Sequence, residues 1–323
     1  MSRRRAGKYP GLPPSPETAA ADVSRDNLKN ELSAGIERQF DKLCAAPLAP
    51  GLHVVSTPIG NLSDITLRAL FTLAAADIAL CEDTRHSRKL FSAFGIGRKL
   101  ETYHDFSSER DRERILGALR DGKSVALISD AGTPLVADPG FKLVRAALAE
   151  GVNVFPVPGA SAMLSALVAS GLPSDRFFFG GFLPAKEKAR REALEALGDA
   201  PGALIFYESA ARIEAALKAI ASVFPARPAV LAREITKIHE GYARGTAQEL
   251  LAEIERNPPI GELVLLIGPG EAPKTEDGDI EHALRRAMAA GSMKEAVEEV
   301  AKELGVAKKK VYNLALKLRD KQP

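Results

Sequence analysis

The feature that most constrains this chain is a rhythm. From residue 52 onward, short apolar runs alternate with amphipathic stretches, and the runs stop at turns rich in glycine and proline. Leu52-His53-Val54-Val55-Ser56 stops at Thr57-Pro58, the run 124–128 stops at Ser129-Asp130-Ala131-Gly132-Thr133-Pro134, and the run 152–157 stops at Pro158-Gly159. Runs this short suit buried strands rather than helices. A helix between each strand and the next favours parallel pairing, because a parallel crossover needs the length of a helix. The expectation is therefore an α/β protein built on mostly parallel sheet, with helices on both faces.

The rhythm also sets the expected boundaries. Strands are expected at 52–56, 77–81, 124–128 and 152–157. Ser63-Asp64 is expected to cap a helix carrying Ile65, Leu67, Leu70, Phe71 and Leu73, and further helices are expected at 84–94, 107–119 and 140–150. Gly171-Leu172-Pro173 reads as a hinge, after which the pattern restarts. Strands at 177–180, 203–207, 229–232 and 263–267 then alternate with helices at 186–197, 209–223 and 247–255. A polar linker follows at 269–279. The expected organisation is a flexible leader (1–50), an N-terminal α/β lobe (51–172), a C-terminal α/β lobe (173–270) and a small helical module (280–323).

Composition excludes several classes. A chain of 323 residues, 46% hydrophobic and 27% charged, can bury a sizeable core, which rules out a disordered tail or a collagen. Its only cysteines, Cys44 and Cys81, cannot form a CxxC site and suit a reducing cytoplasm. No HExxH, GxSxG, Walker A loop or GxGxxG is present, and the histidines are scattered, so no metal is expected. Residues 151–174 carry no charge, but Pro156, Pro158, Gly159 and several serines interrupt them, so a buried strand–loop–helix is expected there and no membrane span. Arg3, Arg4 and Arg5 lack a following apolar core, which argues against a secretory signal. A solvated basic tail is the expected reading there; an organellar transit segment, with its first acid at Glu17, is the alternative.

Turns after parallel strands are where ligands bind, since strand ends converge there with free backbone groups. Small residues let backbone approach a ligand closely, and here they crowd the turns after residues 56, 128 and 157. Other strand ends are polar: Glu82-Asp83-Thr84-Arg85-His86, Tyr207-Glu208-Ser209, and Arg233-Glu234-Ile235-Thr236-Lys237-Ile238-His239-Glu240. Read alone, each is a helix cap with surface charge. Three such ends together point to a substrate face.

These segments also carry a resemblance. Thr57-Pro58-Ile59-Gly60-Asn61-Leu62, Glu82-Asp83-Thr84-Arg85, Ser129–Pro134, Pro158-Gly159-Ala160-Ser161-Ala162, Phe206-Tyr207-Glu208-Ser209 and Glu234–Glu240 occur in this order. Together they resemble the ribosomal RNA small-subunit methyltransferase I family, within the tetrapyrrole-methylase (class III) superfamily, over residues 51–270 and the helical C-terminal module. The resemblance implies a two-lobed fold with S-adenosylmethionine between the lobes, a cytoplasmic homodimer, and 2′-O-methylation of a cytidine ribose in the decoding region of 16S ribosomal RNA, within the 30S subunit. It carries the donor site onto Pro58, Asp130, Ala131, Gly132, Thr133, Val136, Ser161, Ala162 and Tyr207, with Ala232 and Leu266 nearby. One departure stands out: the family's Pro-His-Arg after Tyr-Glu-Ser is Ala210-Ala211-Arg212 here.

A ribose hydroxyl is a weak nucleophile, so a base or a stabilising cation would help its reaction. Glu82, Asp83, Lys237 and Glu240 are the candidates. Arg85, Arg233 and Lys237 equally suit phosphate, and alignment without a base stays open. In the module, Ser292 caps one helix, Gly305 ends it, and Lys308-Lys309-Lys310 opens the next, which is helix-turn-helix spacing. Ten lysines and arginines face six acids over residues 281–323, a net charge of +4, while the whole chain carries only +2. RNA phosphate is the expected partner of these lysines. Two other readings remain: a methylase of the same fold acting on a tetrapyrrole or other small molecule, and a nucleic-acid-binding regulator whose body senses a metabolite.

Overall fold

The computed structural model describes residues 25–270 and 277–319. The basic tail at Arg3–Arg5 lies outside them. The chain divides into two units, one ending at Ser161 and the other beginning at Ala162. A helix, α1 (Arg25–Cys44), occupies most of the described leader, with Leu28, Leu32 and Ile36 about half exposed along it.

The first unit holds one sheet of five parallel strands. They are β1 (Gly51–Val55), β2 (Ile78–Cys81), β3 (Leu100–Thr102), β4 (Ser124–Leu127) and β5 (Val154–Val157), in the spatial order β3-β2-β4-β1-β5. The period of two along each strand divides the side chains between two cores. Val55, Ala79, Cys81 and Ala126 face one layer, with buried residues of α2 (Leu67–Ala75) and α3 (Thr84–Ala93). Leu52, Leu80, Val125 and Leu127 face the other, with α4 (Glu109–Arg120) and α5 (Phe141–Ala149). Leu52, Leu73, Leu80, Ile115 and Leu143 are fully buried, each contributing roughly 1.5–3 kcal/mol. The topology matters for function. From the neighbouring strands β1 and β4 the chain leaves in opposite directions, and the carboxyl ends at such a switch point are where α/β sheets bind ligands.

The expected helix cap at Ser63-Asp64 is corrected. Those residues form a short 3-10 turn, and Thr66 caps α2 by accepting from the Ala69 amide. The extended Ile65 keeps the two pieces from merging.

In the second unit, α6 (Ala162–Ser170) packs on the sheet strands β7 (Ala203–Ser209), β8 (Pro228–Arg233) and β10 (Glu262–Ile267). That packing moves the division of the chain ahead of the expected hinge at Gly171-Leu172-Pro173. With β6 (Phe177–Phe182) and β9 (Gly241–Thr246), the sheet runs β6-β7-β10-β8-β9. Only β6 and β7 pair in parallel; the pairs β7–β10, β10–β8 and β8–β9 are antiparallel. Expectation of mostly parallel pairing therefore holds for the first sheet and not for the second. β7 continues to Ser209, paired there with Glu262, so the following helix α8 begins at Ile213. Helices α7 (Glu187–Glu195), α8 (Ile213–Val223) and α9 (Ala247–Arg256) bury Leu194, Leu217 and Leu250 in one core.

Three helices end the described chain: α10 (Asp277–Ala290), α11 (Met293–Glu303) and α12 (Lys308–Arg319). Ile280, Leu284, Val297, Val300, Val311, Leu314 and Ala315 form their own core. A capping box joins Ser292 and Glu295 at the start of α11, and Gly305 takes a φ of 63° at the turn.

Candidate active site

The turns after β1, β4 and β5 interlock. The Thr57 amide donates to the Gly132 carbonyl at 2.8 Å, and the Gly132 amide returns a bond to the Thr57 carbonyl at 3.1 Å. Ser56 Oγ and Thr133 Oγ1 are 2.9 Å apart, and Thr133 Oγ1 donates to the Ala160 carbonyl at 3.3 Å. Glycine is required twice. Gly132 has a φ of 78°, and a Cβ there would press Ile59 Cγ2 at 3.3 Å. A Cβ on Gly159 would come within 2.9 Å of Ser56 Cβ. The Asp83 amide donates to Asp130 Oδ1 at 3.1 Å, which ties the β2 turn to the β4 turn. The structure thus brings Asp130, Ala131, Gly132 and Thr133 together with the turn that carries Pro58, a half-buried residue. Val136 and Ser161 lie in neighbouring segments and are also half-buried.

The geometry also allows S-adenosylmethionine to be tested against these residues. The turns form a cradle packed so closely that a Cβ at Gly132 or Gly159 would press on Ile59 or Ser56. Thr57 Oγ1 is buried there without a hydrogen-bond partner among the described residues. Tight backbone approach and a spare hydroxyl fit a nucleoside-bearing donor.

Beside this cradle, at the carboxyl ends of β2, β3 and β4, a cavity of about 610 Å³ is lined by Glu82, His104, Asp105, Phe106, Ala137, Asp138 and Pro139. Burial raises the Glu82 carboxyl above its ordinary range, and neighbouring Asp130 pushes the same way. Burial raises Asp138 further, to about 6, against a hydrogen bond from Ser129 that opposes the shift. Asp83 is different. It caps α3, accepting from the Arg85 amide at 2.7 Å, and the Arg85 guanidinium beside it holds its carboxyl at about 2. A carboxyl so acidic, already committed to a cap, is a weaker proton acceptor than Glu82. Arg85 is exposed but leans on Asp83 at 2.7 Å.

Within the second unit, Ala162 opens α6, and Tyr207 stacks edge-on against Phe179 and Phe182, with centroids 4.9 and 5.9 Å away. Ala232 and Leu266 are fully buried, so their side chains serve the sheet's packing and offer no open surface. Residues 234–240 form tight turns, with Glu234 and Thr236 at φ of 48° and 67°. Lys237 does not meet Glu240. Its Nζ pairs with Glu234 at 2.9 Å and Glu262 at 3.0 Å, while Glu240 accepts from the Thr236 amide at 2.7 Å. Glu240 thus braces the turn, and Lys237 is held between two carboxylates. Arg233 is exposed at the end of β8, opposite Gly241.

Glu208 has no exposed side-chain surface. Arg212 pairs with it at 3.1 Å and also donates to the Leu183 carbonyl, while Glu208 Oε2 has no partner among the described residues. The arginine of the departed Pro-His-Arg segment is therefore anchored here without its neighbours. In the C-terminal module, Lys308 pairs with Glu298 and Lys310 with Asp277 at 3.0 Å; Lys309 is exposed.

His104, Phe106 and Asp138 were not expected. Asp138 lies in the loop after β4, whose small residues are concentrated in its first half. No motif marks His104 or Phe106, because they reach the cavity through β3, a strand too short to read. Among the described residues, no group of His, Cys, Asp or Glu is placed to hold a metal ion, and no helix is long and apolar enough to cross a membrane.

Comparison with known proteins agrees with this geometry. Residues 51–251 match the Tetrapyrrole (Corrin/Porphyrin) Methylases, and residues 274–319 match the RsmI C-terminal HTH domain. A ribosomal RNA small subunit methyltransferase I of Mesorhizobium japonicum is 48% identical over 85% of this chain and 95% of its own length. Its counterpart in Escherichia coli O157:H7 is 44% identical over 82% and 94%. Among solved structures, cobalt precorrin-4 methyltransferase gives a TM-score of 0.52 at 20% identity, covering 67% of this chain and 94% of that one. Diphthine synthase gives 0.53 at 15%, covering 68% and 89%. Those two share the fold. The relatives' identity over nearly their whole length, with both family models in order along the sequence, makes this chain a member of the ribosomal RNA small subunit methyltransferase I family of tetrapyrrole methylases.

Proposed function

We propose that this protein methylates the ribose 2′-hydroxyl of a cytidine in the decoding region of 16S ribosomal RNA, within the 30S subunit, as a cytoplasmic homodimer. The observation that carries the reading is the interlocked cradle of Thr57, Gly132, Thr133 and Gly159 beside a cavity holding a carboxylate of raised proton affinity. Pro58, the Asp130–Thr133 turn, Val136 and Ser161 hold S-adenosylmethionine in the first unit; Ala162 and Tyr207 belong to the same assignment, with Ala232 and Leu266 as packing beneath it. When bound, the donor supplies a sulfonium methyl already activated for transfer.

What remains for the protein is alignment, exclusion of water and care of one proton. Glu82 accepts the 2′-hydroxyl proton as the ribose oxygen is methylated. Its raised pKa brings it nearer the working pH than an ordinary carboxylate, which favours that transfer. Lys237 supplies positive charge to the reacting oxygen or an adjacent phosphate, held in place by Glu234 and Glu262. Arg85, Arg233 and the Lys308–Lys310 cluster contact RNA phosphate. For the homodimer, the support is an edge strand: β6 exposes Phe177, Phe178 and Phe182, which a monomer would leave in water. The test is incorporation of labelled methyl groups from S-adenosylmethionine into undermethylated 30S subunits, with the modified nucleotide mapped. Incorporation at a cytidine ribose is expected; none, or incorporation into a base, rejects the reading.

A further inference from the structure

The cavity at the ends of β2, β3 and β4 has walls of two kinds. Phe106, Ala137 and Pro139 offer apolar faces, His104 adds a ring, and Glu82, Asp105 and Asp138 offer hydrogen-bond acceptors. No lysine or arginine lines it, so it is unsuited to a phosphate. Flat apolar walls with acceptors at the edge suit an uncharged, planar, amine-bearing group.

Phe106 is 95% exposed, an unusual place for a phenyl ring unless something covers it. The backbone that carries it is braced. The preceding Tyr103 is buried and bonds the Cys81 carbonyl through its amide at 2.8 Å. His104 and Ser107 then close a tight turn: the His104 amide donates to Ser107 Oγ at 2.9 Å, and the Ser107 amide donates to the His104 carbonyl at 2.9 Å. The turn holds the Phe106 ring beside the His104 ring, with centroids 6.2 Å apart. His104 Nδ1 is buried without a partner among the described residues. An aromatic ring held out to solvent from a braced turn is an arrangement by which proteins stack single unpaired bases.

We propose that this cavity receives the base of the target nucleotide, with Phe106 stacked on its face and Asp138 accepting a hydrogen bond from its exocyclic amine. A carboxylate accepts from the cytosine amine and faces repulsion from the uracil O4 carbonyl, so Asp138 selects cytosine. At about 6, its pKa leaves it an ionised acceptor at pH 7.5. The base in this cavity would place its ribose near Glu82, the proton acceptor named above. This inference rests on the proposed function and adds the determinant of base identity.

The experiment uses the full chain and undermethylated 30S subunits carrying either the native cytidine or a uridine at the target position. Phe106→Ala lowers kcat/KM by roughly tenfold to a hundredfold, Phe106→Tyr stays within a few-fold of wild type, and affinity for S-adenosylmethionine by calorimetry is unchanged in both. Asp138→Asn, whose amide can donate to O4, narrows the preference for cytidine over uridine by at least about tenfold. A Phe106→Ala enzyme within twofold of wild type overturns the stacking role. Equal losses on both RNAs in Asp138→Asn overturn the selection role. Either failure leaves ribose methylation by the wild type intact, whereas a wild type that methylates no RNA ends the proposed function and this inference with it.

Discussion

Glu208 is a charged side chain with no exposed surface, compensated by the single guanidinium of Arg212. Removing one member of such a pair strands the other, which costs more than the pair contributes. Arg212→Met is expected to lower stability by about 3 kcal/mol in urea denaturation. Adding Glu208→Gln should recover much of that loss, since the double change removes the stranded charge. Equal stability of wild type and Arg212→Met would show that Glu208 finds another partner. Asp138 makes stability depend on pH. Its folded pKa of about 6 lies above the ordinary carboxylate value of 3.8. The native state therefore binds a proton that the unfolded chain releases between those values, and the stability this supplies is complete below pH 4 and lost as pH rises through 6. Asp138→Asn should raise the melting temperature relative to wild type at pH 7.5, with the difference vanishing by about pH 4 in calorimetric scans. Lys237 is the third test. Lys237→Ala should slow single-turnover methylation of saturating 30S subunits by about a hundredfold or more, with donor affinity nearly unchanged. A rate within a few-fold of wild type would assign Lys237 to its ion pairs alone.

Among the elements, the turns after β1, β4 and β5 were legible because their composition is extreme: small residues and prolines follow apolar runs. What composition could not supply is their mutual bonding, which arises only when β1 lies between β4 and β5. That bonding predicts a sensitive position. Gly159→Ala would force its new Cβ against Ser56 and pull Ser56 from Thr133. S-adenosylmethionine affinity should fall by at least about tenfold in calorimetry, because several kcal/mol of preorganised backbone contact depends on the fit. Unchanged affinity in a folded Gly159→Ala protein would remove this cradle from the donor site. Other elements were hidden for physical reasons. β9 reads Gly-Tyr-Ala-Arg-Gly-Thr, with no alternation, and is a strand only because β8 pairs with it from Pro228 to Arg233. The directions of β8 and β10 were equally invisible, since an apolar run reads the same whether its neighbour runs parallel or antiparallel. Glu82 was legible as a polar strand end, but its distinction from Asp83 was not: one side chain enters the cavity, the other turns back to cap α3.

At the scale of the whole molecule, a charge balance of +2 conceals a C-terminal module of net +4. Replacing Lys308, Lys309 and Lys310 by alanine should flatten the log–log salt dependence of RNA binding by roughly two to three units, at about 0.7–0.9 per phosphate contact. Donor affinity should not move. Retention of both slope and activity would leave Lys308 and Lys310 as partners of Glu298 and Asp277 only. The two sheets also differ in when they can be completed. The first has all five strands once residue 157 exists, but the second places its last strand, β10, between β7 and β8. A ribosome making this chain therefore releases a finished first sheet well before the second can close. Until Ile267 emerges, β7 and β8 present facing edges with nothing between them, an aggregation-prone gap for chaperones to shield. A chain stopped at residue 260 should yield to limited proteolysis throughout its second unit while the first stays protected. Synthesis order, rather than sequence length, then sets the most vulnerable moment in the life of the protein.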